Sequence, residues 1–391
     1  MTHESHRWNL SACALLAMAA STALAAAQAP APQAPGGAAA AAASTPASAA
    51  GSIQPRVVER RVIDLTQTVT LDRIPAGSRS VRVWVPVPGD AAFQRVLRQD
   101  VVDAPAGWRM VPQQDGRGTF LVADVADPAG PVKVVVRSVV EREGVLFDLA
   151  SPPAGDAGAP ASAPDPRLFH AELDTAAPLM GADARVRELA DQACGSERDP
   201  ARQALLLLQK VSEVADHYSK DPSKPTCGRG AASDCMDHGG GCCTDLHSLF
   251  IAMARARGIP ARMQYGFRAV DSREGKEYDP GYRCWVEYFV PGLGWVPTDV
   301  VASDNAGSAN PAQWGSLSAG RVWLWSGRSF QLTPSSSAGP IHTMTSGWAE
   351  IDGTPVDPLP AADGTPPQLT RRIQFTVLSR ERPSSAPTLP E

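Results

Sequence analysis

The run GCCTDLHSLFI, from Gly241 to Ile251, decides the fold of this 391-residue chain. Its apolar positions recur at the spacing of a helix with one buried stripe and are Leu246, Leu249, Phe250, Met253 and Ala254. Gly258 and Pro260 end the predicted helix. Cys243 thus lies at its N-terminus, where unpaired N–H groups and the helix dipole favour a thiolate and lower the pKa of a cysteine. This position suits a nucleophile.

Two predicted strands follow this helix. The first runs from Tyr282 to Val290 and the second from Trp295 to Asp299, and they are joined by the turn residues Pro291 to Gly294. So short a connection predicts a β-hairpin.

The helix and hairpin together are similar to the core of the transglutaminase-like superfamily. That core has a helix opening with Gly-x-Cys-x-Asp and closing with Gly-Ile-Pro-Ala-Arg, then a His-x-Trp strand and a Gly-Trp-Val-Pro-x-Asp strand, and the match runs from about Cys235 to Asp299. The resemblance implies a papain-like α+β fold in which the helix bearing the cysteine packs on an antiparallel sheet. It also implies a Cys–His–Asp triad, in which the base activates the thiol and the acid orients the base.

Carried over by position, Cys243 is the nucleophile, Asp299 is the orienting acid and Arg283 stands in the histidine position. Arginine keeps its proton, so it cannot accept the proton of the thiol, although it can stabilise a thiolate or pair with Asp299. The resemblance therefore implies a transglutaminase-like protein that acts on or binds a peptide or protein. It also implies that the catalysis of this protein is impaired or lost.

Two other functions stay open. The chain is an active cysteine peptidase, amidase or acyltransferase if His247, His238 or His217 serves as a substitute base. It is a structural envelope component if the cleft beside Cys243 is closed and filled. His247 follows Cys243 by four residues and so shares its helix face, but a buried histidine bonded to backbone is the simpler interpretation.

The remaining cysteines predict neither a metal site nor a cofactor site. The set Cys227, Cys235, His238 and Cys242 has spacings that match no common zinc site, and a disulfide among its cysteines is the better interpretation in a secreted protein. Cys284 neighbours Arg283 on a strand, so its side chain points to the opposite face and is predicted to be in the core.

The N-terminus predicts export. Residues 1–27 have the charge and apolar run of a signal peptide, and residues 28–55 form an Ala/Pro-rich linker expected to be disordered, so we expect a secreted, periplasmic protein. A net charge of −5 gives no basic field for nucleic acid. No later segment reaches the roughly 18 apolar residues that a membrane span requires.

The rest of the chain is divided by composition. Residues 56–150 alternate in the manner of strands and predict an N-terminal β-sandwich-like domain. A Pro/Gly-rich stretch then precedes the predicted core at 167–305, which begins with two amphipathic helices. Residues 306–380 are predicted to form β segments, and residues 381–391 are predicted to be a disordered tail. Secreted bacterial family members look similar here too, through Val83-Trp84-Val85-Pro86-Val87-Pro88 and Ser326-Gly327-Arg328.

Overall fold

The computed structural model describes residues 55–147, 149, 169–226, 229–305, 315–356, 367–387 and 389. The predicted signal peptide and, apart from residue 55, the predicted linker lie outside these residues. In the part that is described, no helix is long and apolar enough to cross a membrane.

The fold is a mixed α+β structure, as the sequence predicts. Its strands are β1 (Arg56–Asp72), β2 (Ser80–Val87), β3 (Gln94–Asp103), β4 (Arg109–Pro112), β5 (Thr119–Ala126), β6 (Val132–Leu146), β7 (Asp216–His217), β8 (Gly240–Gly241), β9 (Ala261–Arg268), β10 (Arg283–Val290), β11 (Gly294–Thr298), β12 (Ser316–Leu317), β13 (Arg321–Ser326), β14 (Trp348–Ile351), β15 (Thr354–Pro355) and β16 (Gln368–Glu381). Its helices are α1 (Ala184–Cys194), α2 (Pro200–Val214), α3 (Ala232–His238), α4 (Cys243–Ala256) and α5 (Val300–Asn305).

Two antiparallel sheets form the N-terminal part. One has the order β12-β6-β1-β16, with β3 also paired to β6, and the other has the order β15-β14-β2-β5-β4. Valines that alternate along β1, β2 and β6 are buried between the sheets, including Val69, Val83 and Val134. The alternation of apolar and polar residues therefore produces the expected sandwich, because successive side chains point to opposite faces.

Strands from the C-terminal part complete these sheets. β16 pairs with β1 and β14 pairs with β2, while β13 joins a third sheet of order β11-β10-β9-β13. That third sheet and the five helices form the core that bears Cys243.

Helix α4 is the centre of this core. The helices α1, α2, α3 and α5 and the strands β9 and β10 all contact it. The buried stripe predicted from its apolar residues is too narrow, because the polar residues Asp245, His247 and Ser248 are buried as well. With neighbours on every side, α4 has no solvent face of its own.

The start of α4 is fixed by a capping box. Cys242 is the N-cap, and the carboxylate of Asp245 accepts a hydrogen bond of 2.9 Å from its backbone N–H. Just upstream, β8 runs parallel to β7, and Gly240 has a φ of 144°. A Cβ at Gly240 would lie 2.0 Å from the carbonyl oxygen of Asp216, so only glycine permits this close approach.

Candidate active site

Cys243 is the first residue of α4 and is half-buried. It lines a cavity of about 410 Å³ whose wall also contains Asp299, Arg283 and Cys284. The three residues predicted for the site therefore line one cavity. A closed, filled groove, which would favour a purely structural protein, is not what surrounds this cysteine.

Asp299 lies between β11 and α5 and begins that helix. Its Oδ1 accepts hydrogen bonds from the backbone N–H groups of Val301 (3.0 Å) and Ala302 (3.2 Å). Its other oxygen pairs with the guanidinium of Arg321, on β13. Burial alone would raise the pKa of Asp299, but the charge of Arg321 and a hydrogen bond from His247 outweigh it and lower the pKa well below the usual range.

Arg283 begins β10 and is exposed. Its guanidinium donates to the backbone carbonyl of its neighbour Tyr282, at 3.0 Å, and among the described residues it forms no salt bridge. The sequence allowed Arg283 to pair with Asp299, but Arg321 occupies this place. Arg283 lies instead on the wall of the cavity.

His247 lies at the centre of the site, one helical turn after Cys243, and is completely buried. Its Nδ1 lies 3.2 Å from the Sγ of Cys284, and its Nε2 lies 3.1 Å from the backbone nitrogen of Val300 and 3.4 Å from Oδ1 of Asp299. Thiol, imidazole and carboxylate thus form a line of the kind found in a Cys–His–Asp triad, with Cys284 as its sulfur.

The electrostatics of this line favour an ion pair. Burial lowers the pKa of His247, but the charges and hydrogen bonds of Cys284 and Asp299 raise it to about 9. Burial raises the pKa of Cys284, but hydrogen bonds from Cys243 and His247 and the imidazolium charge lower it to about 6. These shifts favour a thiolate at Cys284 and an imidazolium at His247.

Cys243 behaves differently from what its place at a helix N-terminus predicts. Hydrogen bonds with Cys242 and Cys284, followed by burial, raise its pKa well above the usual value. The prediction of a lowered pKa for this thiol is therefore wrong. The reason is that hydrogen bonds to the neighbouring sulfurs of Cys242 and Cys284 favour the protonated thiol, and that burial disfavours a thiolate.

The other two histidines considered as substitute bases, His217 and His238, lie at different distances from the cavity. His217, on β7, lines the cavity, and burial lowers its pKa. Its Nδ1 lies 2.7 Å from the hydroxyl of Ser219. His238 is exposed at the end of α3, with its Nδ1 2.8 Å from the carbonyl oxygen of Asp234. Of the substitute bases predicted from sequence, His247 and His217 are near the thiols, whereas His238 is absent from the lining of the cavity.

The comparisons with known proteins agree with this geometry. A profile of the "Transglutaminase-like superfamily" matches residues 187–300, which include Cys243, Arg283 and Asp299. This part of the chain is a transglutaminase-like core.

Individual proteins that are similar to this chain share less than a third of their aligned residues with it. An uncharacterised protein of Haemophilus influenzae is 24% identical over 348 residues, which is 76% of this chain and 88% of the relative. A protein-glutamine gamma-glutamyltransferase of Pseudomonas aeruginosa is 29% identical over 140 residues, which is 34% of this chain and only 20% of the relative. A solved structure from Cytophaga hutchinsonii, described as a "Putative Cysteine Protease", has a TM-score of 0.51 at 14% identity and covers 82% of this chain and 99% of its own. At that identity the likeness concerns the fold alone.

The described cysteines of the core form no disulfide with one another; they are Cys194, Cys235, Cys242, Cys243 and Cys284. A bond between Cys235 and Cys242 is therefore not formed. Cys227 lies outside the described residues, so the predicted disulfide stays a prediction where it involves Cys227. Cys235 is completely buried on α3, and burial raises its pKa, which keeps it a thiol.

Sequence reasoning missed two residues of the site. Cys284 was correctly predicted to be buried, but the face it is buried on is the face that packs against α4, beside His247. Arg321 gave no signal, because it comes from β13, outside the recognised motifs. The alternation along β10 could have identified Cys284 once the position of α4 on the sheet was known.

Proposed function

We propose that this protein is exported to the cell envelope, that Cys243 forms thioesters with carbonyl groups of peptides or proteins, and that its turnover is impaired because Arg283 replaces the triad histidine. One observation carries the proposal. Cys243 begins a helix at the wall of a cavity of about 410 Å³, and an orienting carboxylate, Asp299, lies in the same wall.

The substrate class follows from the cavity and the family. A volume of this size accommodates an amino-acid side chain with its neighbouring peptide, and it is within the usual range of ligand sites. Transglutaminase-like proteins act generally on protein substrates, and one relative is named for transfer from protein glutamine. Peptide and protein amides are therefore the proposed acyl donors.

Impairment follows from the chemistry of Arg283. Its guanidinium cannot take the proton of Cys243 and is directed to the carbonyl of Tyr282. Loss of a triad base typically costs on the order of a million-fold in turnover. The export half of the proposal is supported by the charged and apolar pattern of residues 1–27.

The first test uses an activated acyl donor, p-nitrophenyl acetate, whose good leaving group allows a cysteine to be acetylated even where cleavage of an amide is impaired. We expect one acetyl group on Cys243, located by peptide mass spectrometry, in the wild type and in Cys242→Ser, which keeps a good N-cap residue. Cys243→Ala should lose this label. Absence of the label from wild-type Cys243 would overturn the proposal.

The second test measures amide turnover, with casein as acyl donor and a fluorescent primary amine as acceptor. We expect Arg283→His to gain at least the roughly hundredfold that a general base contributes, and Arg283→Ala to gain nothing. Equal rates in the wild type and Arg283→His, both abolished by Cys243→Ala, would show that turnover is not impaired. A wild type acetylated on Cys243 but unable to turn over casein would fit the proposal in its most impaired form.

A further inference from the structure

The strand that carries Arg283 places a second ionisable residue beside Cys243. Cys284 is the next residue of β10, is 1% exposed, and faces α4. Its Sγ lies 3.2 Å from Nδ1 of His247 and 3.7 Å from the hydroxyl of Thr244, and it lines the same cavity as Cys243. Cys284 therefore links the cavity of the proposed nucleophile to the completely buried His247.

The imidazole presents an N–H to Cys284 in both of its protonation states. When His247 is neutral, Nε2 can accept from the backbone N–H of Val300, which leaves the proton on Nδ1. When it is charged, Nε2–H faces Asp299 and Nδ1–H still faces the sulfur. In either state the hydrogen bond favours a thiolate at Cys284 over a thiol.

Other ionisable and charged groups face this pair from the surrounding elements. Among the described residues the ionisable ones are Cys242 before α4, His217 on β7, Tyr218 after it, Tyr265 on β9 and Tyr282 before β10. The charged ones are Asp299 after β11, Arg268 on β9, Arg283 on β10 and Arg321 on β13. Apart from Asp299, which is paired with Arg321 and His247, the fixed charges near the two thiols are positive, so they favour one shared negative charge on the sulfurs.

We propose that Cys284 carries the proton for Cys243 and so substitutes for the histidine that Arg283 has replaced. This inference rests on the proposed function, because it assumes that Cys243 forms the thioester. The two thiols share one proton, held on Cys243 at rest, and cysteine is among the side chains able to act as a general acid or base.

Each half of the reaction balances. As Sγ of Cys243 bonds to the carbonyl carbon, its proton moves to the Cys284 thiolate and the carbonyl π electrons move to oxygen. When the tetrahedral adduct collapses, the C–N bond breaks and the Cys284 thiol gives that proton to the leaving nitrogen. Water or an amine then attacks the thioester, its proton passes to Cys284 and on to the departing sulfur of Cys243, and both residues return to their starting state.

Burial decides which of the two sulfurs attacks. Cys284 is enclosed between β10 and α4, whereas Cys243 is half-buried at the cavity wall. A carbonyl carbon in the cavity therefore meets Cys243 first. The opposite arrangement, with Cys284 as nucleophile, is a distinct outcome of the experiment.

The experiment follows acetylation of Cys243 by p-nitrophenyl acetate against pH, with the modified residue identified by mass spectrometry. In the wild type we expect the rate to rise through about pH 6, where Cys284 ionises. In Cys284→Ser the rise should move to about pH 8.5 or above, the range of an unassisted thiol, so that the rate near neutral pH falls roughly thirtyfold while the alkaline rate is kept. His247→Gln should shift the profile in the same direction.

The matched control is Cys194→Ser, which makes the same change at a buried cysteine on α1, and it should leave the profile unchanged. A wild-type profile in Cys284→Ser would overturn the proton carrier while the label on Cys243 upheld the proposed function. An acetyl group on Cys284 would overturn the assignment of roles. A wild type with no acetyl group on Cys243 at any pH would overturn the proposed function itself, and the proton carrier with it.

Discussion

The sulfur of Cys284 and Nδ1 of His247 lie 3.2 Å apart, across the contact between β10 and α4. Among the described residues, the residue next to Arg283, and not Arg283 itself, thus makes the shortest side-chain polar contact with the buried histidine. The substitution of the triad histidine leaves a set of thiol, imidazole and carboxylate behind the proposed nucleophile. The ion pair in this set gives the first prediction.

We expect His247→Gln to reduce the free energy of unfolding most between about pH 6 and about pH 9. The folded pKa of Cys284 is lowered, so its contribution to stability is lost as the pH falls through about 6. The folded pKa of His247 is raised, so its contribution is lost as the pH rises through about 9. Urea unfolding at a series of pH values measures both limits.

The control for this prediction is His238→Gln, at an exposed histidine of α3. Its effect on the free energy of unfolding should be small and should not peak in the same window. If His247→Gln lowered stability equally at every pH, the loss would reflect packing alone and the ion pair would be refuted.

Arg321→Gln should destabilise the protein through Asp299. This substitution leaves a buried carboxylate without its guanidinium partner, and breaking a buried pair costs about 3 to 5 kcal/mol. The exposed pair of Arg82 and Asp124 offers a comparison, since Arg82→Gln should cost less than about 1 kcal/mol. Chemical denaturation of both variants gives the difference, and similar costs at the two sites would contradict the assigned role of Arg321.

The sequence predicts the local elements well, for physical reasons. Alternation identifies β1, β2 and β6, helical periodicity identifies α1, α2 and α4, and the turn at Pro291 identifies the hairpin of β10 and β11. Each of these signals depends on neighbours in the chain. Cys243, Arg283 and Asp299, which the family resemblance assigned to the site, line one cavity, and their catalytic roles stay a prediction.

The features of the site that the sequence did not predict depend on contacts between distant segments of the chain. The pairing of Arg321 with Asp299 requires β13 to lie beside β9, and no local pattern specifies this neighbour. The raised pKa of Cys243 likewise depends on Cys284, which comes from another element. A rule based on the helix N-terminus alone predicts a lowered pKa for the thiol of Cys243, which is the wrong direction.

Gly240→Ala should destabilise the protein strongly. Its Cβ would lie 2.0 Å from the carbonyl oxygen of Asp216, and this oxygen belongs to backbone paired in β7 and β8, so it cannot move aside cheaply. Gly258→Ala is the matched control, because Gly258 also has a positive φ, of 75°, but nothing lies within 4 Å of its Cβ. We expect a loss of about 1 kcal/mol for the control and several times more for Gly240→Ala. Thermal unfolding distinguishes them, and equal losses would show that the close approach is unimportant.

Asp245→Ala and Asp245→Asn should differ. Burial, followed by the charge of Cys242, raises the pKa of Asp245 to about 7, so the stability gained from its protonated form is lost as the pH rises through that value. Asparagine keeps an acceptor for the backbone N–H of Cys242 without a charge, so it should match or exceed the wild type in stability above about pH 7. Relative to asparagine, alanine should cost about 1 kcal/mol at every pH, through loss of the cap. A pH-independent loss in Asp245→Asn would contradict this account.

The pairing of β1 with β16, from Arg60 to Asp72, joins segments separated by about three hundred residues of chain. Contacts between such distant segments form late, because the intervening chain must first be brought to order. The sandwich can therefore be completed only after nearly all of the chain is present. A proteolytic cut between β13 and β14 would leave every lining residue of the thiol cavity on one fragment and put a sheet partner of both β1 and β2 on the other.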